Sequence, residues 1–293
     1  MDGPNGVSPR HAPHHAHGAQ PVPRTLAHSH AKRVDLNLMA QSANFVQLHN
    51  HTHYSLLDGA SKIPDLVRCA KDLGMPAVGI ADHGNMHGAY ELWSEAVKQG
   101  VKPILGIEAY VTPETARGDK SRVHWGTEAQ RSDDVSGGGL YTHLTLWAES
   151  DEGLVNLTKA SSVANLEGRV MRYPRMDKDV LATYSKGVIC GSGCPSGIVQ
   201  TRLRLGQFDE ALRAAGELQD IYGKENFYIE LMDHGLEIER RVTNDLLDIA
   251  NRLGAPLLAT NDSHYVHKED AGAQDAMLCI NSGSKLDEPG RFK

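Results

Sequence analysis

Two histidines separated by one residue, His49 and His51, follow the apolar run 45–48, and Asp58 comes shortly afterwards. Side chains two residues apart on an extended backbone point to the same face, so both imidazoles could reach one metal ion. Such a pair alone indicates a metal site only weakly. It gains weight because similar side chains recur near the ends of later apolar segments.

The further candidates are histidine, cysteine and carboxylate side chains spread over the chain. They are His83, Glu108, His143, Cys194, Asp262 and His264. Each has an ordinary structural alternative: Asp262 could cap the next helix, His143 could be a hydrogen-bonded core histidine, and Cys194 could be a small buried apolar residue. Asp82, next to His83, could also be a helix cap. The six further candidates, together with His49, His51 and Asp58, make nine residues of ligand type at equivalent positions in the chain. This recurrence favours a metal site.

Nine ligand-type groups are too many for one tetrahedral zinc and fit a cluster of two or three ions. The mixture of imidazole, carboxylate and one thiolate favours zinc, manganese or iron over magnesium or calcium. Clusters of such ions hydrolyse phosphate esters, because they acidify a water molecule and neutralise the phosphoryl oxygens. The candidate chemistry is therefore metal-dependent phosphoester hydrolysis.

Seven apolar segments that alternate with helical patterns must position these residues. The predicted strands are 45–49, 77–82, 104–111, 141–148, 187–191, 227–231 and 257–261. One predicted helix begins near Ser61, and the others cover 86–99, 151–165, 207–222, 236–253 and 267–281. A long polar loop is predicted over 112–140 and an irregular stretch over 165–186. This rhythm predicts an α/β fold with a parallel sheet, either doubly wound or closed into a barrel.

In both designs function lies beyond the C-terminal ends of the strands. Six of the seven predicted strands deliver a His, Cys or carboxylate there, although His143 falls early in its strand. The sixth strand offers Glu230, Asp233 and His234, which are not counted as ligands.

Composition limits the class of protein. The chain has 293 residues, of which 40% are hydrophobic and 23% charged, and no apolar run long enough to span a membrane. Four irregularly spaced cysteines do not form a disulfide framework, which predicts a reducing, cytoplasmic environment. The net charge of −7 argues against a stand-alone DNA-binding protein, but three divalent ions would add +6 and bring it to about −1. Residues 1–43, rich in Pro and His, are predicted to be a disordered tail.

Five motifs resemble the polymerase-and-histidinol-phosphatase (PHP) domain, and specifically the one at the N-terminus of bacterial DNA polymerase III alpha subunits. The motifs lie at 49–52, 55–60, 81–85, 102–108 and 259–265. The resemblance covers about residues 44–293 and implies a distorted (β/α)7 barrel over 44–282. It also implies that 283–293 begin a polymerase region whose catalytic carboxylates lie outside this chain.

The resemblance further implies a trinuclear centre of divalent ions, with zinc preferred over manganese or iron. One ion would be held by His49, His51 and Asp262, with Glu108 bridging to a second ion. The second ion would also use His143 and Cys194, and the third would use Asp58, His83 and His264. In this family a full ligand set goes with 3′–5′ exonuclease proofreading, as in the replicative polymerases of mycobacteria and their relatives. Gln274 stands where the family often has His.

The implied partners are the primer 3′ end of DNA, the polymerase palm and thumb of the parent chain, and replisome subunits such as the sliding clamp. Two alternatives stay open: a metal-braced structural or partner-docking module without nuclease activity, and a phosphoesterase similar to histidinol phosphatase. Loop 112–140 could grip a DNA strand or could be a solvated insertion. The residues that suggest gripping are Arg117, Lys120, Arg122, His124 and Trp125.

Overall fold

Short apolar runs, often ended by a polar residue or glycine, form the strands in the computed structural model, which describes residues 45–291. The strands are β1 Ala77–Gly79, β2 Asp82–His83, β3 Lys102–Ile104, β4 Gly106–Val111, β5 Thr142–Ala148, β6 Arg169–Val170, β7 Tyr173–Met176, β8 Val188–Gly191, β9 Phe227–Leu231 and β10 Leu257–Ala259. The predicted N-terminal tail, 1–43, lies outside the described residues.

The helices begin and end where the sequence supplies caps and breakers. They are α1 Ile63–Asp72, α2 Ala89–Gln99, the single turn α3 Ser136–Gly139, α4 Asp151–Glu167, α5 Lys178–Thr183, α6 Ile198–Arg204, α7 Phe208–Tyr222, α8 Glu237–Leu253 and α9 Ala271–Ser282. Two 3₁₀ segments cover Glu128–Asp133 and Lys268–Asp270. The Ser150 side chain caps α4, and α2 and α8 stop at glycines with left-handed backbone. The predicted helices are confirmed to within a few residues, whereas α3, α5 and α6 were not predicted.

The strands form a closed ring. Neighbouring strands in the ring are β4, β5, β8, β9 and β10, in that order. On the other side of β4 lies β2, and β1 pairs with β3 just before them in the chain. Residues 47–51 close the ring between its two ends: Gly79 N donates to Gln47 O (2.7 Å) on one side, and His51 N donates to Ser263 O (2.8 Å) on the other. This ring with its outer helices confirms the distorted seven-stranded barrel.

Two strand predictions need correction. Residues 45–49 form no regular strand, since this segment makes only scattered backbone bonds to its neighbours and Asn50 makes an isolated parallel bridge to Ser263. The expected all-parallel sheet is also wrong, because β5 runs antiparallel to both β4 and β8. This reversal brings the start of β5 to the rim at which the other strands end.

Residues 165–186 are more regular than expected, since they contain the hairpin β6–β7 and the helix α5. The adjoining loop 112–140 has no long element but is held firmly. The fully buried guanidinium of Arg175 donates to the carbonyl oxygens of Gly168 (3.2 Å), Leu140 (3.1 Å), Arg117 (3.1 Å) and Asp119 (2.5 Å). One cation therefore satisfies four backbone acceptors, of which, within residues 45–291, only Gly168 O also accepts from a backbone donor, Arg175 N (3.3 Å).

Two apolar clusters lie behind the ring. The larger one fills the space between β4, β5, β8, β9 and helices α4 to α8, and the smaller one lies between β1, α1 and α2. No helix within residues 45–291 combines the length and the apolar character needed to cross a lipid bilayer.

Candidate metal centre

The rim of the barrel collects the predicted ligands because of how its strands are oriented. Glu108 lies within β4, and the antiparallel neighbour β5 places His143 opposite Tyr110, two residues further along β4. His143 therefore reaches the same rim from the beginning of its strand. The parallel pairing of β2 with β4 sets His83 opposite Glu108. The early position of His143 in its strand, which looked anomalous in the sequence, follows from the antiparallel pairing.

A first group of ligand atoms surrounds the His49–His51 pair. Nε2 of His51 lies 2.9 Å from Oδ1 of Asp262, and Nε2 of His49 lies 3.4 Å from the same oxygen. Oε1 of Glu108 lies 3.3 Å from Nε2 of His49. One ligand atom from each of these four residues lies within 4.8 Å of the others, as a single ion requires.

A second group lies on the other side of Glu108. Oε2 of Glu108 lies 2.6 Å from Nδ1 of His83 and 3.0 Å from Nδ1 of His143. Sγ of Cys194 lies 3.4 Å from that same nitrogen of His143. Glu108 thus stands between the two groups, where a bridging carboxylate would be needed.

A third group lies nearer the solvent. Nε2 of His83 is 2.7 Å from Oδ2 of Asp58, and Nε2 of His264 is 3.9 Å from that oxygen. The rings of His83 and His264 both stack on His51, at centroid distances of 4.0 and 4.3 Å. The structure therefore brings all nine predicted residues into one continuous cluster.

Six inward-facing atoms of this cluster lie close to one another, yet none has a partner in hydrogen-bonding geometry. Buried atoms of this kind are His49 Nε2, His51 Nε2, His83 Nδ1, both carboxylate oxygens of Glu108 and Asp262 Oδ1. Buried polar atoms are normally satisfied, and leaving several unpaired in one place is costly. The donor set of imidazoles, carboxylates and a thiol fits divalent transition-metal ions, which would satisfy these atoms.

Outer contacts fix the tautomers of three histidines. Nδ1 of His49 lies 3.1 Å from Glu230, and Nδ1 of His264 lies 2.8 Å from the carbonyl oxygen of Asp262, so each Nδ1 carries the donated proton. Nδ1 of His51 lies 3.1 Å from the hydroxyl oxygen of Ser55. In all three rings this leaves the Nε2 lone pair free for an ion.

The Ser55 hydroxyl has its own partner, Asp82, to which it donates at 2.7 Å. Asp82 is fully buried and also accepts from the backbone N (2.7 Å) and hydroxyl (2.9 Å) of Thr52. Since the Ser55 proton goes to the carboxylate, the Ser55 oxygen must accept from His51. Asp82 therefore holds the loop that carries the histidines, and the suggestion that it caps the next helix is wrong.

Glu230 and Gln274 contact the candidate ligand residues, and the sequence did not predict either contact. Glu230, held back from the ligand set, is buried and accepts from the hydroxyls of Thr145 and Thr260 and from Gly193 N. Gln274 on α9 is buried, and its amide donates to the carbonyl oxygen of Asp58. The signal for Glu230 was an acidic residue within an apolar strand. Nothing local pointed to the role of Gln274.

Burial and neighbouring charges shift the pKa values of two histidines in the cluster in opposite directions. Burial, reinforced by the imidazoles of His83 and His264, lowers the pKa of His51 to about 3. Burial also acts to lower the pKa of His83, but Glu108 and Asp58 outweigh it and raise the pKa to about 10.

The acidic members of the cluster are shifted in opposite directions. For Asp262 burial acts to raise the pKa, yet His49 and His51 outweigh it and hold the pKa well below its usual range. Burial, with Glu108 nearby, raises the pKa of the Cys194 thiol. A cation bound beside Cys194 would favour the thiolate.

Most cationic and aromatic groups of loop 112–140 are engaged within the chain. Arg117 pairs with Asp177 (3.0 Å) and Glu167 (2.7 Å), and the guanidinium of Arg202 lies 3.7 Å over the ring of Trp125. Arg122 donates to the carbonyls of Gly137 (3.0 Å) and Gly138 (2.8 Å), and His124 lies 3.3 Å from Asp134. These contacts describe an anchored loop. They give the strand-gripping hypothesis little support, since Trp125 is already stacked.

Comparison with known proteins identifies the family. The family model described as the PHP domain matches residues 47–234. The chain is 53% identical over 251 residues to the DNA polymerase III subunit alpha of Mycobacterium tuberculosis, covering 86% of this chain and 21% of that protein. The protein of the same name from Saccharopolyspora erythraea is 53% identical over 256 residues, which cover 85% of this chain and 21% of that protein. The one from Borreliella burgdorferi is 40% identical over 255 residues, which cover 87% of this chain and 21% of that protein.

The chain thus spans about a fifth of the length of these relatives. Among solved structures, an amidohydrolase from Chromobacterium violaceum is similar with a TM-score of 0.45 and 12% identity, covering 79% of this chain and 96% of that one. The matched span, 47–234, is more than half of the 293 residues. The chain therefore belongs to the PHP domain family.

Proposed function

We propose that the chain is the PHP domain of a bacterial DNA polymerase III alpha subunit and hydrolyses the 3′-terminal phosphodiester of DNA as a metal-dependent 3′–5′ exonuclease. The observation that carries the proposal is the convergence of nine ligand-type residues, five of which have buried inward atoms without a hydrogen-bond partner. The identity to polymerase subunits supplies the replication context. Proofreading of the primer end in the cytoplasm, beside the polymerase and the sliding clamp, is part of the same proposal.

The proposed ligand assignment is the one that the resemblance to the PHP domain implies. The first ion would use His49, His51 and Asp262, with Glu108 shared with a second ion. The second ion would add His143 and Cys194, and the third would use Asp58, His83 and His264. We propose zinc for these positions, with manganese or iron as alternatives, because imidazole and thiolate donors prefer them to magnesium.

Divalent ions held there would acidify a water molecule and neutralise charge on the phosphoryl oxygens. The residues of the chain prepare the site for that chemistry. Glu230 and Ser55 orient His49 and His51 so that both Nε2 atoms face the cluster. The three carboxylates, Asp58, Glu108 and Asp262, would offset half of the charge of three divalent ions, and open positions on the ions would bind the phosphate.

A primer with a mismatched 3′ end, incubated with the purified chain and zinc or manganese, tests the proposal. We expect release of single nucleotides from the 3′ end by the wild type and a loss of at least about a hundredfold in Asp262→Asn. Asp233→Asn is the matched control, because Asp233 is exposed on the same rim and accepts only from Gly235 N. No nucleotide release by metal-loaded wild type would sink the proposal and favour a metal-braced structural module.

A further inference from the structure

Three tyrosines, Tyr110, Tyr141 and Tyr173, form a continuous aromatic surface next to the candidate metal centre, called here the tyrosine wall. The ring of Tyr141 lies 4.6 Å from that of Tyr110 and 4.5 Å from that of Tyr173, between centroids. The third pair, Tyr110 and Tyr173, is 5.1 Å apart. All three side chains are half-buried, so the wall is packed on one side and partly open on the other.

The tyrosine wall begins one ring away from the ligand imidazoles. The ring of Tyr141 is nearly parallel to that of His143, at 6° and a centroid distance of 5.5 Å. Tyr110 lies 6.0 Å from His83 in a stacked orientation. A nucleotide carries its base one sugar away from its phosphate. A phosphodiester at the cluster would therefore bring the adjoining base to the wall.

Two glycines make room for the tyrosine rings. A Cβ on Gly84 would lie 2.8 Å from the ring of Tyr110, and one on Gly137 would lie 2.4 Å from the ring of Tyr141. Both glycines also have left-handed backbone, which other residues rarely adopt. The rings are therefore seated against the backbone, which favours a rigid platform over a mobile side-chain cluster.

Arg172 adds a cation at the outer edge of the wall. It is exposed, its guanidinium lies 5.3 Å from the ring of Tyr173, and it donates to Oδ1 of Asn281 at 2.8 Å. Aromatic rings combined with a cation are how proteins hold single-stranded nucleic acid: each base stacks on a ring and the cation pairs with a phosphate. In a chain of net charge −7 such a cation beside the site favours an anionic ligand.

We propose that the tyrosine wall and Arg172 form a base-stacking subsite for the 3′-terminal part of a single DNA strand. The base next to the scissile phosphodiester stacks on the wall, and the neighbouring phosphate lies beside Arg172. The inference rests on the proposed function, because it assumes that the scissile linkage lies at the metal cluster. It gives the site a preference for an intact base over a bare sugar at the 3′ end.

Fluorescence anisotropy with two labelled single-stranded oligonucleotides tests this subsite in the metal-loaded chain. One ends in an ordinary 3′ nucleotide and the other in an abasic sugar, and a phosphorothioate at the last linkage slows cleavage in both. We expect the wild type to bind the first about 5-fold to 100-fold more tightly, the range expected for one stacked base. We expect Tyr173→Phe to keep that preference and Tyr173→Ala to lose most of it.

Two further variants separate the subsite from general effects. Tyr90→Ala removes an exposed tyrosine that lies against Trp93 on α2, away from the wall, and should bind both oligonucleotides like the wild type. Arg172→Gln should weaken both equally and lower the slope of log affinity against log salt by about one. Metal content, measured for every variant, shows whether the cluster has stayed intact.

The subsite and the nuclease fail in different ways. Equal binding of the two oligonucleotides by the wild type, or an unchanged preference in a metal-replete Tyr173→Ala variant, overturns the subsite even if nucleotides are released. A preference that depends on the ring of Tyr173 supports the subsite even if no hydrolysis is seen, in which case only the proposed nuclease falls.

Discussion

Nδ1 of His49 lies 3.1 Å from Oε2 of Glu230, and both side chains are buried. The two residues are 181 positions apart in the sequence. His49 lies in the segment 47–51 that closes the ring, and Glu230 lies in β9. Glu230 accepts this contact together with hydroxyl donors from Thr145 and Thr260, so its position is set by three elements of the ring. A carboxylate held in this way fixes the proton of His49 on Nδ1 and leaves Nε2 for an ion.

Replacing Glu230 by Gln should weaken the first metal site without removing any ligand. The amide is similar in size but no longer charged, so His49 loses the partner that orients it and raises its basicity. Partners of this kind contribute about 10-fold to 100-fold to metal affinity, and we expect a loss in that range. Competition with a chelating dye measures it. Glu237→Gln, an exposed change at the start of α8, should have no effect.

Ser55→Ala tests the second orienting contact. The hydroxyl donates to Asp82 and lies 3.1 Å both from Nδ1 of His51 and from the backbone N of His83. Its loss leaves buried groups unpaired, which costs about 1–3 kcal/mol of unfolding free energy. We also expect weaker metal binding, because His51 is free to rotate.

Urea denaturation followed by circular dichroism measures the stability of this variant. Ser162→Ala is a matched control, because that exposed hydroxyl only donates within α4 to Thr158 O. A Ser55→Ala protein with wild-type stability and wild-type metal affinity would show that the relay from Asp82 to His51 is unimportant.

The sequence predicted the ligand types better than the strand pairing. His49, His83 and Asp262 could be found because they lie within three residues of the end of an apolar run, and the ends of neighbouring strands meet at one rim. The antiparallel direction of β5 could not be read in this way, since pairing depends on distant segments. His143 therefore looked misplaced until its neighbours in the ring were known.

The orienting residues were harder to predict than the ligands for the same reason. Glu230, Ser55 and Gln274 act through partners far away along the chain, and no local spacing reports such contacts. Whether the converging residues divide among three ions as proposed stays a prediction, which depends on metal content and not on the positions of the side chains.

Arg175→Met should destabilise the barrel through loop 112–140. The buried guanidinium donates to four carbonyl groups, and an apolar side chain removes these bonds, leaving Gly168 O only its weaker bond from Arg175 N. We expect a loss of about 3 kcal/mol or more in the free energy of unfolding. Limited proteolysis should also cut the loop faster. Arg169→Met, an exposed change that removes one bond to Met171 O, should change little; equal proteolysis of both variants would contradict the anchoring role.

Chelation should lower the melting temperature of the metal-loaded chain, because the clustered carboxylates destabilise the folded state when no cations are bound. Without cations the three carboxylates, Asp58, Glu108 and Asp262, remain close together, and the unpartnered inner atoms of the cluster stay unsatisfied. A ligand at a hundred times its Kd stabilises the folded state by about 2.7 kcal/mol. For a domain of this size that corresponds to roughly 5–10 °C in Tm. Calorimetry before and after EDTA measures the shift.

Adding metal back tests which ions the cluster prefers. Zinc or manganese should restore the Tm and magnesium should not, because imidazole and thiol donors select zinc and manganese. An unchanged Tm after verified removal of the metal would mean that the cluster holds no stabilising ions.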